Sequence, residues 1–100
     1  MVLERHIEQK VTSFVESIGG AAFKLRIDGR NGFPDRTIIL PNGVIVFVEL
    51  KKPRTGKLRP AQIKTIKILE DLGQTVVVSD DADYVCSRLL DILNYEKDKE

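Results

Sequence analysis

Residues 32–51 constrain this chain most. They read Gly32-Phe33-Pro34-Asp35, an apolar run, Pro41-Asn42-Gly43, and a second apolar run that closes Glu49-Leu50-Lys51. Asp35–Leu40 and Val44–Lys51 are two central strands, and the second (Val44, Ile45, Val46, Phe47, Val48) is apolar on both faces, the mark of a sheet interior. Three charged groups nevertheless stand at the ends of these strands. Unpaired charge in a low-dielectric interior is costly, so Asp35, Glu49 and Lys51 call for a local ion pair or a site.

The turn sets their geometry. Leu40-Pro41-Asn42-Gly43 suits a type I turn with Gly43 left-handed, a three-residue hairpin loop with a bulge. Residue 40 then pairs with 44, Asp35 falls opposite Glu49, and Lys51 shares their face. A two-residue loop would turn Asp35 to the other face. Pro41 favours the longer loop, because it fits the first turn position and would interrupt a ladder. Two carboxylates opposite one another repel. Lys51 compensates them in part. A divalent cation does so better, and hard oxygen donors suit Mg2+ or Mn2+.

The flanking chain predicts an α/β domain in the order helix, three strands, helix, strand, helix. Leu3, Ile7, Val11, Phe14, Val15 and Ile18 recur at helical spacing over 3–18, and Gly19-Gly20 ends that helix. Glu4 and Glu8 lie one turn apart beside its apolar stripe, and His6 is read as exposed. Ala21–Asp28 alternates Phe23, Leu25, Ile27 with Lys24, Arg26, Asp28, a strand with one buried face, and the loop after it carries Arg30. Lys51, Lys52, Arg54, Lys57 and Arg59 form a basic loop without an acid, the character of a phosphate-backbone contact. Pro60 opens a helix with Ile63, Ile66, Leu69 and Leu72 as its stripe, and Gln62 lies in the first turn near Lys51. Thr75–Ser79 is a short strand. Ser79 or Asp80 caps a last helix bearing Val85, Leu89, Leu90, Ile92 and Leu93, with Cys86 packed among them.

At 100 residues, 42% apolar and 31% charged, the chain reads as one globular domain over 1–100, its core at about 3–94 and a frayed charged tail at 95–100. One cysteine leaves no internal disulfide and no Cys-based zinc site. No apolar run is long enough for a bilayer, and the charged, helix-patterned N-terminus is no signal peptide, so a reducing, cytoplasmic setting is expected. Residues 1–68 carry 13 Lys/Arg against 6 Asp/Glu, and residues 69–100 carry 3 against 9. A polyanionic ligand therefore suits the half that holds the hairpin. A core of this size is marginal alone, which favours dimerisation.

Pro34-Asp35 followed by Glu49-Leu50-Lys51 resembles the PD-(D/E)xK nuclease motif. With Glu8 in the first helix, Gly32-Phe33 before the motif and Gly56-Lys57-Leu58-Arg59-Pro60-Ala61-Gln62 after it, the pattern resembles the virus-type replication-repair nuclease (VRR-Nuc) family over roughly residues 4–90. The resemblance implies a restriction-endonuclease-like αβββαβα core, a mixed central sheet flanked by helices. It implies Mg2+- or Mn2+-dependent hydrolysis of DNA phosphodiesters. Asp35, Glu49, Glu8 and the Leu50 carbonyl would be metal ligands, with Glu4 a rival to Glu8. Lys51 would orient the attacking water and stabilise charge on the phosphate, and Gln62 would match the helix glutamine near the site. Nothing in the pattern suggests an inactive copy.

Arg26, Arg30, Lys52, Arg54, Lys57 and Arg59 are then the candidate DNA contacts, reading backbone and shape. Short stand-alone members of the family resemble Holliday-junction resolvases, so a homodimer acting on four-way junctions in a bacterial or phage-infected cell is expected. Two alternatives stay open: a nicking or flap nuclease of a phage or restriction system, and a non-catalytic nucleic-acid-binding module of the same fold. The dimer surface would be an apolar patch at Leu89 and Leu93, or the strand and loop around Arg26.

Overall fold

A computed structural model describes residues 4–51 and 57–98. The elements are α1 (Glu4–Ser17), β1 (Ala21–Phe23), β2 (Arg36–Leu40), β3 (Val44–Leu50), α2 (Pro60–Asp71), β4 (Thr75–Ser79) and α3 (Ala82–Asp98). The four strands form one mixed sheet in sequence order: β1, β2 and β3 are antiparallel neighbours, and β4 runs parallel to β3 across the α2 crossover. This is the αβββαβα arrangement the sequence implies.

The hairpin has the register of the three-residue loop, from Leu40↔Val44 to Arg36↔Val48. Its turn is not type I. Asn42 (φ 68°) is left-handed as well as Gly43 (φ 76°), whereas a type I turn keeps its second central residue right-handed. Asn and Gly are the residues that reach this region at least cost, so the loop length survives the change of turn.

The first strand is much shorter than its alternation suggests. It stops at Phe23, paired with Thr37, because β2 begins only at Arg36, the Asp35 N–H before it is given to Glu49, and Pro34 has no N–H to donate. Phe23, Leu25 and Ile27 are therefore 47%, 46% and 40% exposed, not a buried face.

One face of the sheet carries the core. Ile38, Leu40, Val46, Val48, Leu50 and Val77 meet Ile7, Val11 and Val15 of α1 and Val85, Leu89 and Leu93 of α3. Leu89 and Leu93 are thus inside the core, which removes that pair as the apolar dimer patch. Cys86 packs against the same cluster, and burial raises its thiol pKa. The last helix continues through Tyr95 to Asp98, where the sequence suggested a frayed tail. Its N-cap is Asp81 rather than Ser79 or Asp80: the Asp81 carboxylate accepts from the backbone N–H groups of Asp83 (2.9 Å) and Tyr84 (3.3 Å).

The α2 helix lies on the other face, against β4. Gln62, Thr65 and Ile66 are its buried residues, while Ile63 and Leu72, expected in its stripe, are exposed. The inward face is the one set by Gln62, Ile66 and Leu69. Ile39 and Ile45 remain exposed on this side of the sheet. No helix among the described residues is long and apolar enough to cross a membrane.

Thr37 is 7% exposed, and its hydroxyl has no hydrogen-bond partner among the described residues. Burying an unpaired hydroxyl is unfavourable, whereas a valine of the same shape is not. Thr37→Val should therefore stabilise the fold by about 1 kcal/mol and raise Tm by roughly 4–8 °C. Thermal denaturation of both proteins checks this, and a lower Tm for the variant would mean that the hydroxyl is bonded in solution.

Candidate active site

The ladder between β2 and β3 ends at Arg36↔Val48, and beyond it side chains take over the pairing. The backbone N–H of Asp35 donates to Glu49 Oε1 (3.2 Å), and the backbone N–H of Leu50 donates to Asp35 Oδ2 (3.2 Å). Each carboxylate is thus anchored on the opposite strand. This exchange is possible because the hairpin register sets Asp35 across from Glu49.

Gln62 closes the site from α2. It is 5% exposed, and both ends of its amide are engaged. Its Nε2 donates to Glu49 Oε2 (3.1 Å), while its Oε1 accepts from the Arg59 backbone N–H (2.8 Å) and from Lys51 Nζ (3.3 Å). One residue therefore caps the helix start and holds two charged groups of the hairpin end. Lys51 Nζ stands 3.8 Å from Glu49 Oε2, an ion pair whose side chains are largely buried.

The loop before β2 is seated against the same helix turn. Gly32 has φ 86°, and a Cβ there would run into the Ala61 carbonyl and come within 2.7 Å of the Gln62 backbone nitrogen. Thr65 Oγ1 donates to the Asn31 carbonyl (3.2 Å). Phe33 stacks edge-on against Phe47, ring centres 5.4 Å apart. Glycine at position 32 is what lets the loop approach closely enough for Pro34 to set Asp35 at the strand end.

The electrostatics follow from this crowding. Glu49 is 2% exposed, and its pKa is pushed up to about 7, first by burial and then by the neighbouring Asp35. Lys51 and the Asp35 N–H pull it back only in part. Two carboxylates that crowd each other are hard oxygen donors whose repulsion a cation relieves. Among the described residues no three His, Cys, Asp or Glu side chains are close enough to form a metal cage by themselves. Magnesium commonly binds through one or two carboxylates and completes its shell with water and substrate phosphate oxygens. The Asp35–Glu49 pair fits an ion of that kind.

Among the described residues, the other sequence candidates make no direct hydrogen bond to Asp35, Glu49, Lys51 or Gln62, apart from the Arg59 backbone N–H. Glu8 is held by Arg36: Arg36 Nη2 donates to Glu8 Oε2 at 3.0 Å. Arg26, Arg30, Lys57 and Arg59 are exposed, as is His6. Lys52 and Arg54, and the side chain of Glu4, lie outside the described residues. Arg36 was not singled out from the sequence, although alternation along β2 turns it away from Asp35 and towards α1. A cation at the mouth of an apolar strand, facing a helix that bears an acid, was the available signal.

Comparison with known proteins bears on the family and the fold. No family model matches the chain. A protein of Acyrthosiphon pisum secondary endosymbiont phage 1, described as "Putative nuclease p44", is 43% identical over 83 residues, which is 83% of this chain and 88% of the phage protein. A solved structure described as a VRR_NUC domain superposes with a TM-score of 0.79 at 33% identity, covering 88% of this chain and 94% of that one.

The raised pKa has a consequence for stability. A carboxyl that binds its proton more tightly when folded contributes most below its ordinary value near 4.5, and that contribution is lost as pH rises through about 7. Metal-free protein should therefore lose stability between pH 5 and pH 8. Glu49→Gln removes the titration and should exceed the parent at pH 8 by about 1–3 kcal/mol, converging with it at pH 5. Urea denaturation across this range measures the difference, and parallel pH profiles would contradict the assignment. Gly32→Ala should cost about 2 kcal/mol or more, from the left-handed backbone and the Ala61 contact together, read in the same denaturation experiment.

Proposed function

The chain belongs to the VRR-Nuc family of nucleases, and on that premise we propose that it is a Mg2+- or Mn2+-dependent endonuclease that hydrolyses phosphodiester bonds in branched DNA. The observation that carries this reading is the convergence of Asp35, Glu49, Lys51 and Gln62 on one hydrogen-bonded cluster at the open end of the hairpin. A divalent cation, when bound, supplies Lewis acidity at a phosphoryl oxygen and acidifies a coordinated water.

The protein's own groups divide the remaining work. Asp35 and Glu49 would hold the cation, with the Leu50 carbonyl as a further oxygen donor. Lys51 brings a positive charge to the phosphate as negative charge develops there, and it orients the attacking water. Gln62 fixes both Glu49 Oε2 and Lys51 Nζ, so neither has to reorganise during the reaction. The exposed cations Arg26, Arg30, Lys57 and Arg59 contact the sugar-phosphate backbone. Such contacts read shape more than base sequence, which suits a branched substrate.

Resolving a four-way junction takes two symmetric cuts, and a two-fold dimer supplies two such sites. Phe23, Leu25 and Ile27, exposed on the edge strand and the segment after it, support a dimer contact around Arg26. In this reading the protein is a homodimer acting on DNA in the cytoplasm of a bacterial or phage-infected cell.

A cleavage assay tests the proposal. A labelled four-way junction, a flap, a single strand and a linear duplex are incubated with and without Mn2+. Paired symmetric nicks in the junction are expected, with Asp35→Ala and Lys51→Ala each lowering the rate by about 10²–10³-fold. Light scattering at micromolar concentration should give twice the monomer mass. Cutting of flaps or duplex alone, or a monomer without junction preference, rejects the resolvase reading. Junction binding with no cutting of any substrate rejects the enzyme.

A further inference from the structure

Asp35 is restrained through its N–H, its backbone carbonyl and one oxygen of its carboxylate. Its N–H is taken by Glu49 Oε1 (3.2 Å) and its carboxylate accepts from Leu50 N–H (3.2 Å). Its backbone carbonyl accepts from Arg36 Nη1 (3.2 Å). The other arm of that guanidinium, Nη2, is 3.0 Å from Glu8 Oε2. Arg36 therefore bridges the first helix and the peptide unit of Asp35 with one rigid fork.

The pair is well shielded. The Arg36 and Glu8 side chains are only 14% and 21% exposed. An ion pair at this depth gains from mutual attraction, and truncating one partner leaves the other charge uncompensated. Lysine cannot replace the fork, because an ammonium is a point charge and has no planar arrangement to span a carboxylate and a carbonyl at once. On the sheet, Arg36 sits on the face of Ile38 and Leu40, so it reaches α1 while Asp35 faces α2 and Gln62.

We propose that Arg36 is a positioning residue of the metal-binding end of this nuclease, fixing the Glu8 carboxylate of α1 and the Asp35 peptide as one unit. The inference rests on the nuclease reading above, and it adds a residue that neither carries the metal nor donates a proton.

Its sign makes it testable. A cation beside acidic groups, acting through Coulomb forces alone, weakens divalent-ion binding, so its removal would tighten binding. A residue that holds ligands in place does the opposite. Isothermal calorimetry with Mn2+ alone, on the full chain without DNA, distinguishes the two. Arg36→Gln should weaken Mn2+ binding by about 10-fold, and Arg36→Lys, which keeps the charge and loses the fork, should weaken it too. The loss should be smaller when Glu8 is already Gln, since half of the bridge is then gone. Half-saturating Mn2+ for cleavage should rise in parallel, with the rate at saturating Mn2+ less affected. Unchanged or tighter Mn2+ binding by Arg36→Gln overturns the inference, as does an equal loss with and without Glu8. A parent chain whose Mn2+ binding survives Asp35→Ala and Glu49→Ala overturns the nuclease site itself, and a parent that binds no Mn2+ overturns both.

Discussion

The open end of the hairpin depends on one exchange: the backbone of each strand binds the carboxylate of the other. Asp35 N–H donates to Glu49, and Leu50 N–H donates to Asp35. The register makes this possible, and the register follows from the loop at Pro41-Asn42-Gly43. A slip of one residue would carry Asp35 to the opposite face, away from Glu49. A turn at the far end of the hairpin thus decides whether two acids meet at the near end.

The second constraint is the seating of α2. Gln62 links the helix start to Glu49 and Lys51, and Gly32 allows the preceding loop to lie against Ala61 and Gln62. The same turn of helix therefore supports the loop that delivers Asp35 and the amide that orients Glu49. Such a site is costly to the fold. Burying Glu49 beside Asp35 raises its pKa to about 7, a destabilisation that an apolar or amide side chain would avoid. A fold optimised only for stability would not keep this pair, which is the pattern expected where local rules are broken for function.

Much of this was legible in the sequence, for identifiable reasons. The paired residues at the hairpin end follow from turn chemistry and strand alternation, both local. Gln62 was visible because it shares a helix face with Ile66 and Leu69. The failures have a common cause, since each depended on a partner that local pattern does not specify. Phe23, Leu25 and Ile27 alternate like a strand, but β2 starts too late to pair with the last two. Leu89 and Leu93 could have faced either solvent or α1, and the packing buries them. Asp81, just past the expected caps Ser79 and Asp80, takes that role because β4 ends at Ser79 and the helix starts at Ala82. The partnership of Arg36 with Glu8 joins residues 28 apart in sequence, and only the placement of α1 over the sheet brings them together.

Asp35 and Glu49 are held in a mutual repulsion that, on the proposed function, a divalent cation would relieve. The most direct measurement is the carboxyl titration of Glu49 by NMR, with and without Mg2+. A midpoint near pH 7 is expected in metal-free protein, with a fall towards or below the ordinary glutamate range when Mg2+ is present. A Glu49 that titrates as an ordinary glutamate, or one whose midpoint Mg2+ leaves unmoved, would contradict it.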